Sequence, residues 1–201
     1  NKIITSDENY IFKNKNINLV SIASYDNDHY NQIIKSIKSN KNIIVEKPMC
    51  LNLSQLKKIY KLIKKKKNIK MTSNLVLRTN SLFKSFKKRI NSNKIFYIEA
   101  DYIWGRYKKL FGWRSNVKEY SLTLGAAIHM IDLVCWLIGL KPKTVLAVGN
   151  DKLTKNTKFK KKSLIVMFFK FPQNILVKIT ANSVAVHNHF HALKIFSKNE
   201  T

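Results

Sequence analysis

The sequence predicts an α/β protein in which a parallel sheet is followed by an α+β domain with a mostly antiparallel, open sheet. Over the first 75 residues, short apolar runs alternate with segments that carry apolar residues at helical spacing. This alternation is typical of a parallel sheet with right-handed crossovers. Beyond residue 95, several apolar segments of strand length surround one long apolar helix, an order that favours an α+β domain.

The first half contains three predicted strands and two predicted helices. Apolar runs at residues 17–24, 42–45 and 70–75 indicate buried strands. Residues 25–28 supply turn chemistry that can also cap a helix over residues 29–39. A second helix begins at a cap on Asn52 or Ser54 and runs to about residue 67, with its lysines mainly on or beyond the solvated face.

The second half changes pattern after a boundary that we place near Ser73, which gives domains of residues 1–73 and 74–201. Two helices are predicted, over residues 81–91 and 124–140, and the second ends at Gly139 and Pro142. Between these helices, Trp113 and Arg114 fall in a glycine-containing loop. Strands are predicted at residues 95–104, 144–148, 163–171, 175–186 and 192–196, with a lysine-rich loop at 151–162 and a hairpin turn at 171–174.

Composition restricts the class of protein. With 201 residues, of which 45% are apolar, the chain can form one large domain or two small ones. No apolar run approaches the roughly 20 residues that span a bilayer, and no secretory signal is visible, so we expect a cytoplasmic protein without membrane contact. Cys50 and Cys135 lack metal-type spacing, which predicts reduced thiols and no metal site.

The formal net charge of +27 raises the possibility of a nucleic-acid-binding module. We discount it because the excess is almost all lysine, whereas phosphate and base recognition favours arginine. Abundant Lys, Asn and Ile together indicate the codon bias of an AT-rich genome. We therefore expect no nucleic-acid partner.

The most informative local feature is the tripeptide Glu46, Lys47 and Pro48 at the end of the second predicted strand. Carboxyl ends of parallel strands line the ligand crevice of an open α/β sheet. A lysine there can be desolvated, which lowers its pKa towards the range useful for proton transfer. Alone the feature is weak evidence, because 34 of the 38 basic residues are lysines.

Three polar clusters stand out in the second half. Asn74 and Arg78 bracket the exit of the third strand, and Trp113 is followed by Arg114. His129 and Asp132 are three residues apart on the long helix, so both project from one face. Each cluster taken singly also has a structural interpretation, such as a core histidine with an aspartate partner.

Together and in this order, these residues resemble the Gfo/Idh/MocA family of NAD(P)-dependent oxidoreductases. The resemblance covers essentially the whole chain, and its most specific element is the pairing of Glu-Lys-Pro with a His-x-x-Asp helix about eighty residues later. The matching positions are residues 20–24 with His29, residues 44–48, Asn74 and Arg78, Trp113 and Arg114, and residues 125–133 followed by 136–139.

The resemblance implies a Rossmann-type domain, here represented by its C-terminal part in residues 1–73, and a substrate-binding and oligomerisation domain in residues 74–201. It implies hydride transfer between NAD or NADP and a carbon of a sugar, nucleotide sugar or cyclitol. Lys47 and His129 match the catalytic residues. Positions that match the cofactor site are Ser24, Tyr25, Asp26, His29, Glu46, Lys47, Pro48, Asn74, Trp113 and Arg114. For the substrate they are Lys47, Arg78, Arg106, His129 and Asp132, with Asp132 orienting His129 or the helix.

The chain departs from the family pattern in three places. It contains no G-x-G-x-x-G, so we expect an internal piece of a longer protein that alone binds a dinucleotide poorly. Gly125 stands where several members carry an acidic residue, which makes polyol substrates less certain. Tyr25 stands where proline is common.

Two other functions stay open beside the enzyme: a relative that binds sugar without chemistry, and the basic nucleic-acid-binding module. The open sheet of the second domain leads us to expect a homo-oligomer, a dimer or a tetramer. Some motifs are most similar to members associated with surface-polysaccharide or nucleotide-sugar metabolism. The substrate, the choice between NAD and NADP and the direction of reaction do not follow from the residues.

Overall fold

The two architectures expected from the sequence occupy successive parts of the chain. The computed structural model describes residues 3–201 and separates into two compact units between Asn74 and Leu75. The first unit holds a three-stranded parallel sheet and the second a five-stranded, mostly antiparallel sheet. The predicted fold class is therefore confirmed.

The first unit alternates strands and helices. Its sheet has the order β1-β2-β3, and the register places Val20 opposite Ile43 and Ile43 opposite Met71. The predicted strands are present, although the first and third are shorter than predicted. In chain order the elements are α1 (Glu8–Lys13), β1 (Leu19–Ile22), α2 (His29–Lys38), β2 (Asn42–Val45), α3 (Leu53–Lys65) and β3 (Met71–Ser73).

Helix α1 is not predicted by the sequence, and the reason is physical. It has only six residues and none of them is buried, so no apolar periodicity marks it. The side chain of Asp7 caps it by accepting a hydrogen bond of 2.9 Å from the backbone N–H of Asn9. The capping residue is therefore the one sequence signal that such a short helix offers.

The core of the first unit is built from β-branched residues of strands and helices. Ile33 and Ile37 lie four residues apart on α2 and are buried together with Ile59 of α3. They pack in one cluster with Ile43 and Val45 of β2. Burial of this apolar face holds the helices against the sheet.

A buried lysine also joins parts of the first unit. Lys41 is only 4% exposed, and its Nζ donates hydrogen bonds to the carbonyl oxygens of Asn14 and Ile17, the latter at 2.6 Å. These carbonyls lie between α1 and β1, so Lys41 fastens that connection to the start of β2. Lysines are rarely buried unless such partners are present.

The second unit contains the larger sheet. Its strands have the order β5-β6-β7-β4-β8, and β4 pairs in parallel with β7 while the other pairings are antiparallel. The elements are α4 (Ser81–Arg89), β4 (Ile95–Ile103), α5 (Trp113–Asn116), α6 (Ile128–Ile138), β5 (Thr144–Asn150), β6 (Leu164–Lys170), β7 (Leu176–Asn182) and β8 (Phe190–Ser197).

Helix α6 packs on the inner face of this sheet and forms the centre of its core. Met130, Leu133 and Leu137 are fully buried and cluster with Ile98 and Ala100 of β4. The predicted helix over residues 124–140 is shorter in the structure, because Thr123–Ala127 forms a π-helical turn before α6. Gly139 ends the helix with φ of 78°, a left-handed conformation that glycine adopts without strain.

Of two segments predicted to be loops, one is a loop in the structure and the other begins a helix. The lysine-rich stretch over residues 151–162 has no helix or strand, as predicted, and the buried hydroxyl of Thr154 ties it together by donating to the carbonyl of Lys161 at 2.6 Å. Trp113 and Arg114, predicted in a loop, instead begin the short helix α5. Four residues are too few for helical periodicity to be visible.

The outer face of the five-stranded sheet is open in this unit. All seven residues of β5 are exposed, including Leu146 and Val148, and Phe168 on β6 is exposed beside Leu146. Further along the same row, Glu99 accepts a hydrogen bond from Lys178 at 3.3 Å. Within residues 3–201, no helix has the length and apolar character that crossing a membrane requires.

The role of Lys41 can be tested by unfolding. We expect Lys41→Met to lower the free energy of unfolding by about 1–3 kcal/mol, because the partly buried carbonyl oxygens of Asn14 and Ile17 lose the ammonium donor. Urea denaturation monitored by circular dichroism measures this change. Lys38→Met, at an exposed position of α2, is the matched control and should leave stability nearly unchanged. Equal stability of the two variants would contradict a structural role for Lys41.

Candidate functional site

The carboxyl ends of β2 and β3 bring together the polar residues predicted for the cofactor. Glu46 follows β2 and its Oε1 accepts a hydrogen bond of 2.6 Å from Nδ2 of Asn74, which follows β3. The backbone N–H of Asn74 donates to Val45 at 2.8 Å, so the sheet ladder continues to this point. The structure therefore joins Glu46 and Asn74, which sequence analysis assigned separately, and it places Lys47 next to this pair.

His29 connects two loops at the same edge of the sheet. Its ring is 1% exposed, with Nδ1 at 2.8 Å from the carbonyl oxygen of Pro48 and Nε2 at 3.1 Å from that of Ser24. His29 therefore positions the Glu-Lys-Pro loop against the end of β1. That it also binds cofactor stays a prediction.

The remaining predicted cofactor residues of the first unit follow β1. The hydroxyl of Ser24 donates to Oε1 of Gln32 at 2.7 Å, which attaches this loop to α2. Tyr25 is exposed, whereas Asp26 is buried. Hydroxyl, carboxylate and amide groups thus gather where the parallel strands end, and these hydrogen-bond donors and acceptors suit the hydroxyls of a nucleotide ribose.

In the second unit, His129 lies against Tyr102. We call Tyr102 and Trp104, which follow one another on the inner face at the end of β4, the aromatic wall. The inner face of β4 changes along the strand from Ile98 and Ala100 to Tyr102, and then to Trp104 just beyond it. The ring of His129, which is 8% exposed, stacks on Tyr102 with centroids 5.5 Å apart and planes inclined by 6°. Tyr102 therefore fixes the orientation of the imidazole that the sequence predicts to be catalytic.

Two further histidines contact the same tyrosine, and sequence analysis missed both. The edges of His189 and His191 meet Tyr102 at centroid distances of 5.1 and 4.7 Å, and the two imidazoles are 4.8 Å apart. His191 pairs with Tyr102 across the antiparallel β4–β8 ladder. The sequence contained one signal for them: His189 and His191 are two residues apart, which puts both on one face of a strand. The predicted strand began only at residue 192, so neither histidine was assigned to it.

Burial keeps these imidazoles uncharged. It lowers the pKa of His191 to about 4, and the neighbouring His189 contributes to the shift. Burial and the positive charge of Arg106 also lower the pKa of His189. Both rings are neutral at neutral pH, and among the described residues no group of three or more potential metal ligands forms.

Arg78 and Asp132 form a salt bridge through two hydrogen bonds. Nε of Arg78 donates to Oδ2 of Asp132 at 2.7 Å and Nη2 donates to Oδ1, and this bonding raises the pKa of Arg78. The side chain of Asp132 is 12% exposed and that of Arg78 is 44% exposed. The contacts of Asp132 thus indicate that it orients Arg78, whereas the sequence suggested His129 or the helix. Substrate binding by either residue stays a prediction.

Arg114 is held by three aromatic rings. Its guanidinium carbon lies 4.4 Å from the ring centroid of Trp113, 5.1 Å from that of Trp104 and 6.0 Å from that of Tyr120. The positive charges of Arg106 and Arg114 both oppose the rise in the pKa of Tyr102 that burial causes. Both arginines, predicted for the substrate and cofactor respectively, therefore lie within electrostatic reach of the aromatic wall.

Gly125 allows a buried tyrosine to approach the π-helical turn. A Cβ atom at position 125 would lie 2.1 Å from Oη of Tyr120 and 2.6 Å from its Cζ. An acidic side chain, which several family members carry here, therefore cannot be accommodated without moving Tyr120. With Tyr120 in this position, residue 125 has room only for glycine.

The clash predicts the effect of adding one methyl group. Gly125→Ala should lower the free energy of unfolding by about 1–3 kcal/mol, because overpacking outweighs the higher helix propensity of alanine. When Tyr120 is also replaced by alanine, Gly125→Ala should lower the free energy of unfolding by much less. Thermal denaturation of the four proteins of this double-mutant cycle measures the coupling, and additive effects would contradict the contact.

Two family models match the chain. Residues 3–74 match the model of the oxidoreductase family with NAD-binding Rossmann fold, and residues 86–200 match the GFO/IDH/MocA C-terminal domain. The uncharacterized oxidoreductase YhhX of Escherichia coli (strain K12) is 26% identical over 136 residues, which cover 67% of this chain and 39% of that protein.

Solved structures share the fold. Myo-inositol 2-dehydrogenase from Lactobacillus plantarum superimposes with a TM-score of 0.88 at 18% identity, over 97% of this chain and 59% of that one. Scyllo-inositol dehydrogenase from Lactobacillus casei, solved with bound NAD(H) and scyllo-inositol, has a TM-score of 0.82 at 19% identity, over 96% and 58%. The chain thus spans less than two thirds of the length of these proteins. Because the family models cover both units, the chain belongs to the Gfo/Idh/MocA oxidoreductase family.

Proposed function

We propose that the protein to which this chain belongs transfers a hydride between NAD or NADP and a hydroxyl-bearing carbon of a sugar, nucleotide sugar or cyclitol. The observation that carries this proposal is the Glu46, Lys47 and Pro48 loop, held at the carboxyl edge of a parallel sheet by Asn74 and His29. Because hydrogen bonds hold both Glu46 and Pro48, Lys47 between them occupies a defined position. The family is one of oxidoreductases with an NAD-binding Rossmann fold, which supplies the redox partner.

The residues of the first unit are suited to binding the ribose and carboxamide groups of a dinucleotide. Ser24, Glu46 and Asn74 offer a hydroxyl, a carboxylate and an amide that can bond ribose hydroxyls or a carboxamide. When bound, the nicotinamide supplies the hydride acceptor or donor that no side chain provides. The chain itself must then bind the substrate and move one proton.

Proton transfer falls to Lys47 and His129 in this proposal. Oxidation of an alcohol requires a group that takes the hydroxyl proton, and Lys47 in its strand-end loop is suited to do so. His129, oriented by its stacking on Tyr102, can donate a hydrogen bond to the substrate or exchange a proton with it. Inositol dehydrogenases among the structural neighbours support a cyclitol as the first substrate to test.

Lys47 can be tested in the complete protein. We expect Lys47→Ala to lower kcat/KM for scyllo-inositol or myo-inositol by about 10²–10⁴-fold, the range typical of a lost general acid–base. NADH affinity, followed by nicotinamide fluorescence, should be largely kept. Lys57→Ala, at an exposed position of α3, is the control for loss of a positive charge. Full turnover by Lys47→Ala would exclude Lys47 as the proton-transfer group.

We further propose that the open face of the five-stranded sheet joins copies of the protein into a dimer or tetramer. Leu146, Val148 and Phe168 expose apolar surface on this face, and patches of this kind mark protein interfaces. Glu99 lies within ion-pair distance of Lys178 and Lys194, so the patch also carries compensated charges.

Substitution on this face should change the oligomeric state. We expect Leu146→Glu combined with Phe168→Glu to shift the mass measured by light scattering towards that of the monomer, because charges would be buried at the interface. Leu53→Glu, at an exposed apolar residue of the first unit, is the control. A wild-type protein that is monomeric, or a double variant with unchanged mass, would refute this interface.

A further inference from the structure

Strand β5 lies at one end of the five-stranded sheet and pairs with β6 alone among the described strands. We propose that β5 of one copy of the protein pairs antiparallel with β5 of a second copy, around a twofold axis at Ala147, so that two sheets become one continuous sheet. This contact uses the edge of the sheet. It is independent of the stacking of open faces proposed above, and of the hydride transfer.

The edge of β5 has none of the features that keep edge strands apart. An exposed edge offers unpaired N–H and C=O groups, and proteins protect it with short strands, charged residues, proline or bulges. β5 has seven residues, Thr144–Asn150, without a charged residue or proline, and its register with β6 is uninterrupted. Each of the other four strands of this sheet contains a charged residue. The composition of β5 therefore indicates an edge that another strand covers.

Apolar side chains of β5 are exposed on both faces of the sheet. Leu146 lies opposite Phe168 on the open outer face and is 65% exposed. Val145 lies opposite Phe169, which belongs to the core, so Val145 is on the inner face, yet it is 58% exposed. Stacking of the open faces would cover Leu146 and leave Val145 in water. A strand added at the edge contacts both, because its side chains alternate between the two faces.

The sequence of β5 is complementary to itself when two copies run in opposite directions. A twofold axis at Ala147 places each residue opposite the residue that is equally distant from Ala147 in the other copy. The small alanine meets its own copy on the axis, and this register pairs all seven residues of the strand. The remaining pairs are Leu146 with Val148, Val145 with Gly149 and Thr144 with Asn150, each formed twice.

The residues that flank β5 carry opposite charges at equal distances from its centre. Lys143, which is exposed, and Asp151 are each four residues from Ala147. The same register therefore places Lys143 of each copy opposite Asp151 of the other, at both ends of the ladder. Asp151 already accepts a hydrogen bond from Lys162 at 2.9 Å, and a carboxylate can accept further bonds. Charge complementarity thus selects the register that the neutral pairs select, and it favours a second copy as the partner.

The charge of the whole chain restricts where two copies can meet. With a formal net charge of +27, copies of this chain repel one another. Like charges directly opposite each other also destabilise a strand pair. β5 brings no charge to the ladder, whereas β8 at the other end of the sheet order contains Lys194. β5 is therefore the edge at which two copies approach with the least repulsion.

Disulfide formation tests this register in the complete protein. Opposed Cα atoms of antiparallel strands are about 4.5–5.5 Å apart, a distance that a disulfide spans, so Ala147→Cys should give a covalent dimer on oxidation with diamide. Thr144→Cys is the matched control, because two copies of position 144 would be about 20 Å apart. A mixture of Thr144→Cys and Asn150→Cys should form the covalent dimer again. On non-reducing gels we expect most of Ala147→Cys to migrate as a dimer, and little of the control or of the wild type, which contains Cys50 and Cys135.

A charge on the axis tests the contact without a covalent bond. Ala147→Lys places two ammonium groups opposite each other, and we expect the mass measured by light scattering to fall by half. Ala147→Thr, which adds no charge and suits a strand, should keep the mass of the wild type. Circular dichroism of both variants monitors folding. A variant that unfolds is replaced in the test by the cysteine variants, which add little volume.

Three results would overturn the inference: no disulfide in Ala147→Cys, equal yields from Ala147→Cys and Thr144→Cys, or a monomeric wild type. The first result would also follow if another segment of the complete protein covered the edge, and it refutes a second copy in that case too. Phe168→Glu, on β6, changes the open face without changing the edge strand. If Ala147→Cys forms the dimer and Phe168→Glu keeps the wild-type mass, edge pairing stands and stacking of the open faces fails. The opposite pair of results keeps the open-face contact and refutes edge pairing.

Discussion

The second unit depends on the burial of α6 against the inner face of the five-stranded sheet. Met130, Leu133 and Leu137 fill one side of the contact, and Ile98 and Ala100 of β4 fill the other. Full burial of one large aliphatic side chain contributes about 1.5–3 kcal/mol, so this contact fixes the helix in one register. The same register brings His129, near the start of α6, to Tyr102 near the end of β4. Packing energy thereby sets the geometry of the candidate site.

Elements with strong local patterns could be predicted from the sequence. The run over residues 42–45 is one such element, because a continuous apolar stretch has few alternatives to a buried strand. Glu46, Lys47 and Pro48 follow from it, since their position depends only on where that strand ends. Short elements such as α1 and α5 were missed because too few residues carry the pattern.

Contacts between distant residues could not be predicted in the same way. The bond between Glu46 and Asn74 follows from the β2–β3 register, and the bridge between Arg78 and Asp132 follows from the packing of α6. His189 joins the aromatic wall only because β8 lies beside β4. Nothing local to these residues encodes their partners, so the spacing of His129 and Asp132 gave no sign that Asp132 bonds Arg78.

The position of β8 at one end of the sheet order limits how far a change in it reaches into the fold. β8 is the last strand in the sheet order and forms its ladder with β4 alone among the described strands. A substitution near its start meets β4 at Tyr102, whereas Met130, Leu133 and Leu137 of α6 cluster with Ile98 and Ala100, earlier on β4. His189 and His191 lie there, and their contact with Tyr102 is the route by which an exchange of either imidazole would reach the core. This end of the sheet can thus change in sequence by small steps, each compatible with a folded protein.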